Sequence, residues 1–153
     1  MNRLRCGLII AVILLAVPVQ AVSPDSKFDE FGDINCEDEY ARLDNFAIQL
    51  QNTPSAQGYI IFYGGRRFRG RLPRKGEAAV RAGRLKPYLV NRRGISAARV
   101  VVINGGYQED FYVELWIVPA GDTPPEPSNT TIPASQIKFR KGKVSKRQFQ
   151  CNI

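Results

Sequence analysis

Six cationic side chains lie within ten residues of a single loop, a concentration typical of anion recognition. The segment "YGGRRFRGRLPRKGE" carries five arginines and one lysine before its first acid, Glu77. Arginine presents a planar fork of donors that matches a carboxylate or a phosphate, whereas lysine carries a compact point charge. Six like charges cannot be removed from water without partners. The sequence therefore predicts a ligand-facing rim whose candidate binding residues are Arg66, Arg67, Arg69 and Arg71.

The other chemistry-bearing residues give no catalytic arrangement. The chain has no histidine, which removes His-based triads, histidine general bases and most catalytic zinc sites. The acids of "DEFGDINCEDE" lack the spacing of a calcium-binding loop, and the loop glycines lack the GK[ST] step of a phosphate loop. We therefore predict a protein that is not an enzyme, with no catalytic residues, no metal and no cofactor.

The N-terminus has the features of a secretory signal. Two arginines precede an apolar run from Cys6 to Val19, and "VQA" ends at Ala21 with small residues at the positions that signal peptidase requires. The run is shorter than the roughly 20 residues of a membrane-spanning helix. We expect residues 1–21 to be a cleaved signal and the protein to be periplasmic or secreted, with a retained anchor as the alternative.

Cleavage at that position leaves two cysteines, Cys36 and Cys151, near opposite ends of the remaining chain. Export exposes them to an oxidising compartment, which favours a disulfide between them. Closing a loop of this length contributes about 4 to 5 kcal/mol by chain entropy. Two unpaired buried thiols are the alternative.

Charge is distributed unevenly along the chain. Eight of the 14 acids fall in residues 25–44, while residues 66–99 carry 12 cations and only Glu77 as an acid. For an exported protein the available polyanions are envelope polymers and lipid headgroups rather than nucleic acid. The expected partners are therefore an anionic cell-envelope polymer or an acidic protein, with peripheral membrane contact possible and no nucleic acid. The alternative is a solvated cationic face that the chain's own acidic segment balances in part.

Hydrophobic periodicity predicts a mixed set of helices and strands. A helix is expected in "CEDEYARLDNFAIQLQNTP", and a second in "EAAVRAGRLKPYLVNRRG", where Pro87 should cause a kink or an early end. Inner strands are expected in "GYIIFYGG" and "RVVVINGG", which a right-handed crossover should make parallel. A strand with two unlike faces is expected in "EDFYVELWIVPAG", and short strands in "KFDEF" and around 137–139.

These elements predict an α+β domain with the order β-α-β-α-β-β. The expected architecture is a two-layer sandwich, in which helices cover one face of a mixed sheet. The domain should span residues 25–118. A proline-rich linker is expected at 119–135, and a basic C-terminal tail, tied back by the disulfide, at 136–153.

Three segments resemble a known family in order and spacing. "YIIFYGG", "VRAGRLKPYLVNRRGISAARVVVINGG" and "FYVELWIV" are similar to the C-terminal domain of outer-membrane protein A, the OmpA-like peptidoglycan-binding family. The resemblance covers residues 40–118. Arg81 and Ala82 stand at the family's Arg-Ala pair, and further matches fall at Tyr88-Leu89, Gly94-Ile95 and Glu114.

The resemblance implies that Arg81 grips the carboxylate of diaminopimelate in the peptide stem of peptidoglycan. In the family an aspartate of the loop after the strand grips the amine, but here Gly64, Gly65 and Arg66 occupy that stretch. Two functions are therefore expected. One is a non-catalytic module that binds peptidoglycan or another anionic envelope polymer. The other is a structural or interaction protein that kept the scaffold and lost peptidoglycan binding.

Overall fold

The computed structural model describes residues 27–129, 131–149 and 151, so the predicted signal at 1–21 lies outside the described residues. Within them no helix is long and apolar enough to cross a bilayer. The helices and strands are β1 (Asp29–Phe31), α1 (Cys36–Asn52), β2 (Gln57–Gly65), α2 (Glu77–Ala82), α3 (Leu85–Asn91), β3 (Val100–Gln108) and β4 (Tyr112–Val118).

The four strands form one mixed sheet in the order β1-β4-β2-β3. Strands β2 and β3 are parallel, as expected for a strand-helix-strand crossover, while β4 is antiparallel to both β1 and β2. The predicted α+β class and mixed sheet are therefore confirmed. The short strand expected in "KFDEF" is β1.

The hydrophobic core lies between the helices and one face of the sheet. Helix α1 begins at the N-cap Asn35, whose side chain accepts from the Asp38 amide, and its apolar stripe is fully buried. The other helices contribute Ala82, Leu85 and Leu89 to the same cluster. The sheet supplies Ile60, Phe62, Val113 and Leu115. The helix-facing residues of β4, Val113 and Leu115, alternate with residues of the opposite face, as the pleat of a strand requires.

The second face of the sheet is also largely buried. Cross-strand pairs join Tyr59 to Trp116, Ile61 to Glu114 and Tyr63 to Tyr112. The Glu114 carboxylate accepts hydrogen bonds from the Tyr63 hydroxyl and the Trp116 indole, and lies 3.1 Å from the Lys27 amine. The Ser128 amide, from the proline-rich segment, donates to the Tyr63 hydroxyl at 2.9 Å. Strand β2 is thus buried on both faces, as its continuous apolar run indicates.

The helical segment after the basic loop is divided into two short helices. Helix α2 ends at Ala82 and α3 begins at Leu85, so Pro87 is the third residue of a new helix. A proline is tolerated there because the first-turn amides have no intrahelical acceptor. The predicted defect is confirmed, and the break lies at residues 83–84.

The C-terminal tail is tied to the domain by the predicted disulfide. Cys36 and Cys151 are bonded, with their Cα atoms 5.7 Å apart across 115 residues of sequence. The prediction of an edge strand around 137–139 was wrong. Instead, a single bridge pairs Arg140 with Arg74 of the basic loop, because the Arg140 amide donates to the Pro73 carbonyl and its Nε donates to the Leu72 carbonyl.

Candidate functional site

The basic loop leaves the sheet at the C-terminal end of β2 and folds back on itself in a tight turn. The Phe68 amide donates to the Arg71 carbonyl at 2.7 Å, and the Arg71 amide donates to the Phe68 carbonyl at 3.0 Å. Both central residues have positive φ, 49° for Arg69 and 74° for Gly70. Two such residues are typical of a type I′ turn. A non-glycine residue in this region costs about 1 to 2 kcal/mol, so the surroundings must hold Arg69 in place.

Three cations of the loop are free to meet a ligand. Arg67, Arg71 and Lys75 are exposed, and none forms an ion pair with an acid of the described residues. Arg66 reaches Glu109 at 3.4 Å, but both side chains are well exposed, so the pair is worth little. We define the loop rim as Arg66, Arg67, Arg71 and Lys75. The last three lie in water, while Arg66 is half-buried.

Arg69 departs from that expectation because it has a partner from a distant segment. Its Nε donates to the Asp33 carboxylate at 2.8 Å, across 36 residues of sequence. Asp33 lies between β1 and α1, two residues before the N-cap of α1. At Arg69, therefore, the chain's own acidic segment balances part of the loop's charge, as in the alternative interpretation of the sequence. The Arg69 side chain stays largely exposed in this pair, whereas Asp33 is partly buried.

Arg81 binds the same carboxylate from the other side. Its Nη2 lies 2.5 Å from Asp33 Oδ1, and the residue is only 3% exposed. The guanidinium carbon lies 3.9 Å from the Phe111 ring centre and 5.2 Å from that of Phe68, a cation–π arrangement. Burial lowers the pKa of Arg81 from its ordinary value, against the opposing charge of Asp33. Within the described chain its Nη1 has no hydrogen-bond partner.

Asp33 supplies the negative charge that the loop itself lacks. Partial burial raises its pKa, but the hydrogen bond from Arg69 and the charge of Arg81 outweigh that, so the pKa lies below its usual value. The carboxylate is therefore ionised at neutral pH and stands beside two guanidinium groups. Sequence reading missed this residue. The available signal was an acid placed just before a helix N-cap, in a chain whose basic loop has no acid of its own.

These groups line one surface groove. Its walls come from the segment before α1, the basic loop, α2 and the tail, and include Asp33, Phe68, Arg69, Arg81, Arg84, Arg140 and Phe149. Two of the predicted site residues, Arg69 and Arg81, are therefore brought together. The other three, Arg66, Arg67 and Arg71, lie outside the groove on the loop rim.

A second arginine–carboxylate pair closes one end of the groove. Arg84 donates to both carboxylate oxygens of Glu39 through Nε and Nη2. Its Nη1 donates to the Phe149 carbonyl of the tail at 2.6 Å. Glu39 is 1% exposed. Glu77 is also buried, and it accepts from the Arg74 amide at 2.6 Å. It lies 3.8 Å from Arg140. These acids hold the loop and the tail to the domain.

Comparisons with known proteins leave the site to be interpreted from its own geometry. Searches of protein-family models and of curated proteins found no match to this chain. Among residues 27–129, 131–149 and 151, no cluster of three histidine, cysteine or acidic side chains could hold a metal ion. The chemistry that the site offers is ionic and hydrogen-bonding recognition of anions by arginine.

Proposed function

We propose that the protein is an exported, non-catalytic module that binds peptidoglycan or another anionic polymer of the cell envelope. The observation that carries the proposal is the exposure of Arg67, Arg71 and Lys75 without an acidic partner in the described structure. Guanidinium groups recognise carboxylates and phosphates, which are the charged groups of envelope polymers. A loop fixed between a strand and a helix is a common place for binding residues.

The neighbouring groove supports a peptide-stem ligand in particular. Arg81 and Asp33 place opposite charges side by side, and a zwitterionic amino acid requires both signs. In this proposal Arg81 takes the carboxylate and Asp33 takes the amine. The resemblance to the OmpA-like family implies the same division of roles, but here the acid would come from the segment before α1 rather than from the loop.

The proposed location follows from the predicted signal and from the disulfide. Disulfides persist mainly in oxidising compartments, and the Cys36–Cys151 bond is compatible with a periplasmic or secreted protein. Removal of residues 1–21 leaves 20 cations against 14 acids, and the resulting formal net charge of +6 would draw such a protein toward anionic surfaces there.

A second candidate is a structural or interaction protein that keeps the scaffold without binding peptidoglycan. Asp33 is the observation that favours it, because this carboxylate already pairs with both Arg69 and Arg81. An acid of the N-terminal segment thus pairs with two arginines that a ligand would otherwise bind. In this candidate the remaining rim cations meet an acidic protein.

Co-sedimentation with purified cell-wall sacculi tests the first proposal. The parent protein should be retained at low and at moderate salt, since loose charge attraction alone would be screened. The double substitution Arg67→Ser with Arg71→Ser should abolish retention and leave Tm within about 1 to 2 °C, as expected for exposed positions. Arg92→Ser with Lys143→Ser removes the same charge from exposed positions outside the loop and should bind like the parent.

Two outcomes would reject peptidoglycan binding through the rim. One is full retention of the Arg67/Arg71 variant. The other is no retention of the parent at either salt, and capture of the parent by polyglutamate in the same buffers would then point to the interaction protein.

A further inference from the structure

Strand β3 forms an open edge of the sheet. It lies at the end of the strand order and pairs only with β2 among the described strands. Its nine residues contain no charged side chain and no proline, whereas the opposite edge, β1, has only three residues. Natural sheets protect their edges with lysine, proline or very short strands, because unpaired backbone groups otherwise take up another strand. The edge of β3 has none of these protections.

Two contacts show which backbone groups of β3 face outward. On the side away from β2, the Lys86 amine donates to the Val100 carbonyl at 2.7 Å, and the Ile132 amide donates to the Tyr107 carbonyl at 2.6 Å. Successive residues of a strand direct their backbone groups to alternate sides. Residues 102 and 104 therefore share the outward direction of Val100. An extra residue of β3 between 104 and 107 gives Tyr107 the same direction.

The outward N–H and C=O groups of Val102 and Asn104 are open. Within residues 27–129, 131–149 and 151, no hydrogen bond from outside the sheet reaches them. Both residues are exposed, Val102 to 38%. The edge therefore offers two donors and two acceptors to another strand, and they are placed symmetrically on either side of Ile103.

These four groups match a second copy of the same edge. In an antiparallel pair, residues that face each other exchange both of their backbone hydrogen bonds. When two copies meet about a two-fold axis at Ile103, Val102 of each copy faces Asn104 of the other. All four open groups of each copy are then bonded, and the interface is closed. A register centred on Val102 would instead place Asn104 opposite Val100, whose carbonyl Lys86 already occupies.

The side chains of β3 also favour a copy of itself as the partner. Val101 and Ile103 are half-buried on one face of the strand, and Val102 is exposed on the other. Cross-strand pairs of such β-branched residues stabilise a sheet, and a second β3 supplies them. An acidic partner of the kind that suits the loop rim gains no ion pair from an uncharged strand.

We propose that the protein forms a two-fold dimer, in which β3 pairs antiparallel with β3 of a second copy and doubles the four-stranded sheet. Ile103 lies at the axis, and main-chain bonds join Val102 to Asn104 across it. This interaction goes beyond the proposed polymer binding, because it uses a sheet edge rather than the loop rim. The two copies carry the same net charge, so salt should strengthen the dimer, whereas it weakens the attraction of the rim for anions.

Sedimentation equilibrium of the full disulfide-bonded protein, over a range of concentrations, tests the dimer. The parent should show a monomer–dimer equilibrium that tightens from low to moderate salt. Val102→Lys places a cation on the edge and should raise the dissociation constant at least about tenfold. Ile48→Lys makes the same change at an exposed position of α1 and should dimerise like the parent. The Arg67/Arg71 variant should also dimerise like the parent, which separates this interaction from the rim.

A cysteine at the proposed axis tests the register. Directly opposed residues of a non-hydrogen-bonded antiparallel pair have Cα atoms about 4.5 Å apart, which is within the range of a disulfide. Ile103→Cys should therefore give a disulfide-linked dimer on mild oxidation, and peptide mapping should locate the link at residue 103 of both copies. Val101→Cys lies two residues from the axis, so its two copies are roughly 13 Å apart and should stay unlinked.

Four results would overturn the proposal. They are a parent that stays monomeric at every concentration up to its solubility limit, assemblies larger than a dimer, an unchanged dissociation constant in Val102→Lys, and equal linkage of the two cysteine variants. Circular dichroism checks that Val102→Lys folds, and if it does not, the two cysteine variants still decide the question. An extended peptide that binds this edge of a monomeric parent would replace the second copy as the partner.

Discussion

Arg81 and Arg84 lie three residues apart, and each pairs with a carboxylate. They differ in how many of their guanidinium nitrogens have a hydrogen-bond acceptor. Arg84 donates two hydrogen bonds to the buried Glu39 carboxylate, and its remaining nitrogen donates to the Phe149 carbonyl. Arg81 binds an Asp33 that it shares with Arg69, and one of its own nitrogens has no partner in the described structure. The first pair is saturated, while the second leaves one buried donor of Arg81 unpaired.

The difference separates a structural role from a recognition role. A fully satisfied buried pair is costly to break, since removing one partner leaves an unpaired buried charge. Removing one partner of a shared and incomplete pair lowers the free energy of unfolding by less. A ligand that supplies the missing acceptor raises it by more. The Arg84 pair should therefore govern stability, and the Arg81 pair should govern binding.

The largest expected effect comes from removing the bond that holds the tail against Arg84. Cys36→Ser with Cys151→Ser should lower the free energy of unfolding by about 4 to 5 kcal/mol, because the bond closes a long loop. Urea denaturation of the variant and of the parent, with intact mass confirming the parent's bond, measures this. A loss below about 1 kcal/mol would mean that noncovalent contacts suffice to hold the tail.

The direct comparison uses two matched substitutions. Arg84→Met should lower the free energy of unfolding by about 3 to 5 kcal/mol, because Glu39 is left buried and unpaired. Arg81→Met should lower it by about 1 to 2 kcal/mol, since Asp33 keeps Arg69 and is partly exposed. Of the two variants, only Arg81→Met should reduce retention on cell-wall sacculi. Equal losses of stability, or a larger loss for Arg81→Met, would contradict the distinction.

The shared carboxylate should give the incomplete pair a pH signature. The folded pKa of Asp33 is below its usual value, so its contribution to stability is complete above about pH 4 and is lost as pH falls through the folded pKa. Asp33→Asn should cost about 1 kcal/mol at neutral pH. The gap between variant and parent should stay constant down to about pH 5 and narrow below pH 4. A gap independent of pH would show that charge at Asp33 does not matter.

The smallest expected effect concerns the turn that presents Arg69 to Asp33. Arg69→Gly relieves the positive φ but removes the ion pair, so the free energy of unfolding should change by less than about 1 kcal/mol. Gly70→Ala keeps the pair and places a side chain at φ 74°, which should cost about 1 kcal/mol. Thermal unfolding of both variants decides this. A larger loss for Arg69→Gly would show that the ion pair with Asp33 stabilises the turn by more than the backbone strain costs.

Most of the framework was predictable because it depends on local pattern. The apolar stripe of α1, the continuous run of β2 and the parallel β2–β3 pair were all predicted from periodicity and connection rules, and the structure confirms them. Pro87 also marked a helix boundary. In each case neighbouring residues along the chain carry the physical cause.

The site was harder to predict because its contacts join distant segments. Asp33 meets Arg69 across 36 residues, and its place before the N-cap of α1 marks an acid without indicating which cation it pairs with. The tail shows the same limit, since its apolar residues at 137–139 suggested an edge strand. Its backbone pairs with the basic loop at residues 72–74 instead. Long-range partners of this kind depend on the finished fold.

The disulfide also determines how the molecule would carry mechanical load. Residues 36–151 form a covalent ring that contains α1 and every strand except β1. Tension applied from outside that ring would pass through the sulfur–sulfur bond and leave the ring's strands unloaded. It would act first on residues 27–35, pulling β1 from β4 and Asp33 from its two arginines. A protein stretched between two attachments would thus open its arginine groove while β2, β3 and β4 stayed paired.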